Sequence, residues 1–124
     1  MHTILVVDDR LESRYVTVRT LASRGYDVRE TATGSAALQL LSMRPDLVVL
    51  DVSLPDIDGF EVCRQIKAQP SGRRIPVVLK TAVYRDKDSE RQGFASGADA
   101  YLMDPVPPEQ LLSTIDTLLK PPRD

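Results

Sequence analysis

Short apolar runs and helical stripes succeed one another five times along this chain. Thr3 to Asp8 carries Ile4, Leu5, Val6 and Val7 without interruption, and from Leu47 to Asp51 four more apolar residues run straight into a carboxylate. Unbroken runs bounded by turn residues predict strands covered on both faces, as in the middle of a parallel sheet. Asp27 to Ala32 alternates instead, Val28 and Thr31 against Arg29 and Glu30, which predicts a strand nearer the edge. Ile75 to Ala82, with Pro76 tolerable only near its start, and Asp99 to Met103 complete the set of five.

Between the strands the spacing changes to three and four. Leu11, Tyr15, Val18 and Leu21 or Ala22 recur on one helical face, and Gly25 is the stop. Thr33, Gly34 and Ser35 offer cap chemistry to a second helix with Ala37, Leu38 and Leu41 on its inner face, and Pro45 ends the loop after it. Asp58 and Glu61 have the spacing of a capping box, so Gly59 to Ala68 is a third helix buried through Phe60, Cys63 and Ile66. Gln69 to Arg74, with Pro70 and Gly72, reads as a loop. Arg85 to Ser96 is helical by its ending at Gly97, yet offers little apolar surface beyond Phe94 and Ala95, and a helix so weakly anchored shifts cheaply. Pro107 and Pro108 open a last helix whose Leu111, Leu112, Ile115, Leu118 and Leu119 form a strong stripe. Five alternations joined by short loops predict an α/β fold, a doubly wound (βα)5 parallel sheet.

The 124 residues suit one domain over residues 1–120, with 121–124 a tail or the start of a linker. A net charge of −2, from 16 basic and 18 acidic residues, argues against direct nucleic-acid binding. The single cysteine, Cys63, forms no internal disulfide and reads as a small buried hydrophobe. The first residues lack a charged leader and no apolar run approaches membrane-spanning length, so the expectation is a cytoplasmic protein without membrane contact.

The strand ends carry the candidate chemistry. The first delivers Asp8 and Asp9, the third Asp51, the fourth Thr81 and Ala82, the fifth Asp104 and Pro105. In open α/β sheets ligands gather at the carboxyl ends of strands, although an aspartate there is also an ordinary turn former. Three carboxylates on neighbouring strands repel one another unless a cation is shared among them, and Mg²⁺, or Mn²⁺ in its place, suits an all-oxygen set. Asp51 is then positioned to attack a phosphoryl group as a nucleophile, with Thr81 donating its hydroxyl to a phosphoryl oxygen. No Gly-x-Gly-x-x-Gly or Walker pattern is present, which disfavours nucleotide binding.

Ile4 to Asp9, Leu50-Asp51 with Leu54-Pro55 and Asp58-Gly59, Pro76 to Ala82, and Gly97 to Leu102 together resemble the receiver domain of two-component response regulators, over residues 3–119. The resemblance implies a flavodoxin-like sheet with strand order 2-1-3-4-5. It makes Asp51 the phosphoacceptor, served by a histidine kinase or a histidine phosphotransfer protein. Asp9 becomes a direct Mg²⁺ ligand, Asp8 a ligand through water, and the Ser53 backbone carbonyl a third protein ligand. Thr81 and Tyr101 fall on the switch hydroxyl and switch aromatic, though Tyr101 also fits an ordinary half-buried strand aromatic. Signalling is expected through the face of the fourth helix, fifth strand and fifth helix, with homodimers among its outcomes and no enzyme activity beyond the domain's own phosphorylation and dephosphorylation. The segment Gly97 to Leu119 is similar to receivers attached to hybrid sensor kinases. The chain is therefore read either as a single-domain regulator or as part of a longer chain with fused kinase modules.

Where the family has a lysine before the last proline, this chain has Asp104 before Pro105, a bond that the resemblance expects to be cis. A unit-charge pair at about 4 Å and an effective dielectric near 20 is worth on the order of 4 kcal/mol, so reversing the sign is a large change. The expectation is weak phosphorylation and a muted response at Tyr101 unless another cation substitutes, with Asp104→Lys restoring both. Arg10, in a loop, is preferred for that part. Lys80 is turned away from the direction of Thr81 by strand alternation, and surface solvation is the ordinary role for either. Two other readings stand beside the phosphoacceptor: an interaction module independent of phosphorylation, and a small aspartyl-nucleophile phosphatase. The second is disfavoured because that chemistry needs Asp-x-Asp where this chain has adjacent Asp8 and Asp9.

Overall fold

A computed structural model describes residues 2–120, and the sequence-based tail at 121–124 lies outside the described residues. Strands and helices alternate as β1 (Thr3–Val7), α1 (Leu11–Ser23), β2 (Asp27–Thr31), α2 (Gly34–Leu40), β3 (Leu47–Asp51), α3 (Gly59–Ala68), β4 (Val77–Thr81), α4 (Lys87–Ala95), β5 (Ala100–Met103) and α5 (Pro108–Leu119). A short 3₁₀ turn, Leu41–Met43, prolongs α2. All strand pairs are parallel, in the order β2-β1-β3-β4-β5, so the expected doubly wound, flavodoxin-like sheet is the observed one. No helix among the described residues is long and apolar enough to cross a membrane.

Strand alternation divides the core in two. Leu5, Val7, Val48, Leu50, Val77 and Leu79 pack with residues of α2 and α3, whereas Ile4, Val6, Leu47, Val49 and Val78 pack with Leu21 of α1 and with Leu111 and Ile115 of α5. β3 and β4 are buried at every position, and the alternating β2 is an edge strand.

The helices depart from their predicted faces in three places. On α1, Leu11 is 71% exposed and Tyr15 and Val16 also face outward, while Thr17 and Leu21 are buried. Small polar residues of this helix meet the sheet because a buried lysine, described below, needs an oxygen there. At α3, Asp58 caps as expected, its Oδ1 accepting from Phe60 N at 2.7 Å and Glu61 N at 3.2 Å. The return half of the capping box is missing, since Glu61 turns to Arg64 and Gln65. On α4, Phe94 and Ala95 are exposed, and within the helix only Gly93 is buried.

Gly93 sits against the ring of Tyr101, where a Cβ would lie 2.6 Å from Cδ1. Closeness of backbone to ring therefore replaces the apolar side chains that α4 lacks. Gly93→Ala should lower stability by about 1–3 kcal/mol through overpacking, or expel the ring. Thermal melting with near-ultraviolet circular dichroism distinguishes this from an unaltered α4 contact.

Candidate functional site

The site stands where the winding of the chain reverses, between β1 and β3, at the carboxyl edge of the sheet. Alternation aims Asp8 and Asp51 to the side of α1 and α5, and the parallel register pairs Asp51 with Lys80 on β4. Lys80 is thus turned away from Thr81 and toward the carboxylates. The neighbour that matters to Lys80 is Asp51 on β3, beside it in the sheet, and not Thr81 on its own strand.

Asp8 and Asp51 are buried, Asp51 to 2% exposure, whereas Asp9 is exposed. Asp8 Oδ1 accepts from Arg10 N at 3.0 Å, and Asp51 Oδ1 accepts from Ser53 N at 3.1 Å. Among the described residues, Asp8 Oδ2 and Asp51 Oδ2 have no hydrogen-bond partner. Asp8, Asp9 and Asp51 each offer an oxygen within 4.8 Å of those of the other two. Two orphaned buried oxygens in an all-carboxylate set fit a hard divalent cation. A hollow of about 190 Å³, lined by Asp9, Arg10, Asp51, Ser53, Ala82 and Val83, opens onto Asp51 and Asp9. The larger hollow, about 400 Å³ between α1 and α5, lies behind Lys80 and Asp104 and away from Asp9 and Asp51.

Both cations weighed for the reversed charge at Asp104 reach it. Both its oxygens accept from Lys80 Nζ at 3.1 Å, and Oδ2 also accepts from Arg10 Nη2 at 3.3 Å. The Asp104–Pro105 bond is cis. The solvated role for the two cations is corrected. Lys80 is 3% exposed, also donates to Ser13 Oγ at 3.1 Å, and lies 3.7 Å from Asp8 Oδ2. Arg10 reaches Asp51 Oδ2 at 3.5 Å and Asp8 Oδ1 at 3.8 Å, and its side chain stays 47% exposed.

Thr81 is fully buried, and its Oγ1 accepts from Val83 N at 3.1 Å and Tyr84 N at 2.9 Å. Tyr101, 8% exposed, packs on Phe60 and donates its hydroxyl to the Tyr84 carbonyl at 2.7 Å. Arg85 donates to the Asp104 carbonyl and joins the β4–α4 and β5–α5 loops. Ser13, Tyr84 and Arg85 were not candidates from sequence. Ser13, Arg85 and the Tyr84 carbonyl have partners 67, 19 and 17 positions away, beyond the reach of local pattern.

Burial raises the Asp51 carboxyl from its ordinary 3.8 to about 6; the Ser53 N–H opposes this, nearby Asp8 adds to it and Arg10 opposes it. For Arg10, burial works against the charge, but Asp51, Asp8 and Asp104 together hold its pKa above the ordinary value.

The family described as "response regulator receiver domain" matches residues 4–116. Response regulator MprA of Mycolicibacterium vanbaalenii is 45% identical over 119 residues, covering 94% of this chain and 50% of that protein. The chain thus spans about half the length of this curated relative. The signal receiver domain of a signal transduction histidine kinase from Syntrophus aciditrophicus has a TM-score of 0.88 at 33% identity, covering 96% of this chain and 90% of its own. Chemotaxis response regulator CheY4 of Vibrio cholerae has a TM-score of 0.89 at 32% identity, covering 96% and 99%.

A raised carboxylate pKa fixes the sign of a pH effect. Between about pH 4 and 6 the folded protein holds a proton on Asp51 that the unfolded chain has released, so this group makes stability fall as pH rises through that window. Without divalent ions, Asp51→Asn should stabilise the protein at pH 7 by about 1–2 kcal/mol and lose that advantage below about pH 4. Paired melting curves at the two pH values check it; equal Tm values for both proteins at pH 7 would contradict the assignment of strain to Asp51.

Proposed function

The chain belongs to the receiver domains of response regulators, and from that premise we propose that it accepts a phosphoryl group on Asp51 from a histidine kinase or histidine phosphotransfer protein. The observation that carries this reading is Asp51 Oδ2, without a hydrogen bond beside the hollow, with Asp8 and Asp9 close by. An Asp51 oxygen forms the new P–O bond while the donor's bond to phosphorus breaks, and the donor atom leaves with the electron pair. Asp8, Asp9, Asp51 and the Ser53 carbonyl would hold Mg²⁺, or Mn²⁺ in its place. When bound, such an ion neutralises the clustered charge and polarises the phosphoryl oxygens.

Thr81 Oγ1 spends its acceptor capacity on two backbone N–H groups, leaving its proton to give to a phosphoryl oxygen. A Thr81 drawn toward that oxygen loosens Tyr84, whose carbonyl holds the Tyr101 hydroxyl. The signal then leaves through α4, β5 and α5, a face on which homodimers or other partners dock. The phosphorylation-independent reading rested on Asp104 standing where the family has its lysine. The pairing of Asp104 with Lys80 and Arg10 supports the phosphoacceptor instead.

Incubation with acetyl phosphate and Mg²⁺ should add the mass of one phosphoryl group to the wild-type protein and none to Asp51→Asn. Persistence of the gain in that variant would sink the assignment. Separately, Mg²⁺ at ten times its Kd should stabilise the wild type by about 1.4 kcal/mol, and Asp9→Ala should abolish the rise in Tm. A Tm indifferent to millimolar Mg²⁺ would remove the metal from the reading.

A further inference from the structure

We propose that Arg10 takes the place of the family's lysine: its guanidinium takes up the charge of a phosphoryl group on Asp51, and the Lys80–Asp104 ion pair is the fixed mount that aims it. The proposal rests on the phosphoacceptor reading and adds the residue that serves the transferred group.

Reach is the first ground. One nitrogen of Arg10, Nη2, lies 3.5 Å from Asp51 Oδ2 and 3.3 Å from Asp104 Oδ2, so the same group already bridges the acceptor and the departed lysine's position. Freedom to move is the second. Lys80 is buried and has its donors committed to Ser13 and Asp104, with Asp8 at 3.7 Å. Drawing Lys80 to the phosphoryl group would leave Asp104 without its buried partner, which is costly. Arg10 is half-exposed, and when it swings away Asp104 keeps Lys80.

Charge is the third ground. Asp8, Asp9, Asp51 and Asp104 against Arg10 and Lys80 leave two negative charges, the charge that one divalent cation neutralises. Three carboxylates with one lysine leave the same two. Reversal at position 104 is therefore balanced within the site, and the planar guanidinium offers a phosphoryl group two parallel N–H donors where an ammonium offers a point charge. Asp104 is then a positioning residue. Asp104→Lys would remove the mount and set a third cation beside Lys80 and Arg10.

The test is the initial rate of phosphoryl mass gain from acetyl phosphate with Mg²⁺, in which the Asp51 oxygen bonds to phosphorus and acetate leaves with the electron pair. Mg²⁺ affinity is measured in parallel by tyrosine fluorescence. Arg10→Gln should slow labelling about tenfold or more, and Arg10→Lys should keep a larger share of the rate. Arg10→Gln should at the same time tighten Mg²⁺ binding severalfold, because a cation beside Asp8 and Asp51 is gone. Loss of fold would weaken both, so slowing accompanied by weaker Mg²⁺ binding overturns the proposal. So does Asp104→Lys that labels faster than wild type. Labelled wild type with an unchanged Arg10→Gln overturns this proposal alone, whereas wild type that gains no mass overturns the phosphoacceptor reading and this proposal with it.

Discussion

Two carboxylate oxygens, Asp8 Oδ2 and Asp51 Oδ2, are buried side by side without a hydrogen-bond partner, and the carboxyl edge of the sheet is arranged around that fact. A buried carboxylate oxygen without a hydrogen bond is costly even where a cation stands close by, as Arg10 does at 3.5 Å from Asp51 Oδ2 and Lys80 at 3.7 Å from Asp8 Oδ2. The topology compels it here. β1 and β3 are neighbours, both runs end in aspartate, and their register aims the two side chains to one side. Each carboxylate receives one backbone N–H, from Arg10 or Ser53; Asp51 lines the hollow, and Asp8 Oδ2 lies 3.7 Å from Lys80 Nζ. A fold that leaves such oxygens open gives up stability for a place where cationic chemistry binds strongly.

The two cations divide the remaining work by depth. Lys80 lies in the sheet, enclosed by Ser13, Asp104 and Asp8, and removing the lysine would leave the buried Asp8 without its nearby ammonium. Arg10 stands on the loop before α1 with a side chain half in solvent, where its ion pairs are individually worth little and easily exchanged. The buried pair is therefore a structural joint between β4 and the β5–α5 loop, and the exposed guanidinium is the adjustable member.

Strand runs, a helix start and the acidic strand ends were legible in the sequence. The runs Ile4–Val7 and Leu47–Leu50 marked interior strands, Asp58 marked the start of α3, and three carboxylates at strand ends marked the site. What escaped depended on register and rotation. Lys80 meets Asp104 across 24 positions, and Arg10 meets it across 94. Their approach follows from which residue of β4 stands beside Asp51, a matter of pairing that periodicity does not encode. The outward turn of Leu11 and Tyr15 has the same origin. The expected stripe on α1 holds at Leu21 and fails at Leu11 and Tyr15, and in the same first turns Ser13 turns inward to accept from Lys80.

The contacts that leave the site run without a gap to its far face. Thr81 holds the backbone of Val83 and Tyr84, the Tyr84 carbonyl holds Tyr101, and Tyr101 is the surface on which Gly93 rests. Because α4 buries only Gly93 among its own residues, it has little to lose by following the ring, and little local stability opposes its displacement. Arg85 adds a second line, since it grips the backbone carbonyl of Asp104, the residue whose side chain carries Lys80 and Arg10. A charge arriving at Asp51 that draws Arg10 off Asp104 would thus act on the β4–α4 loop from both ends: through Thr81 at its start, and through the mount to which Arg85 is tied.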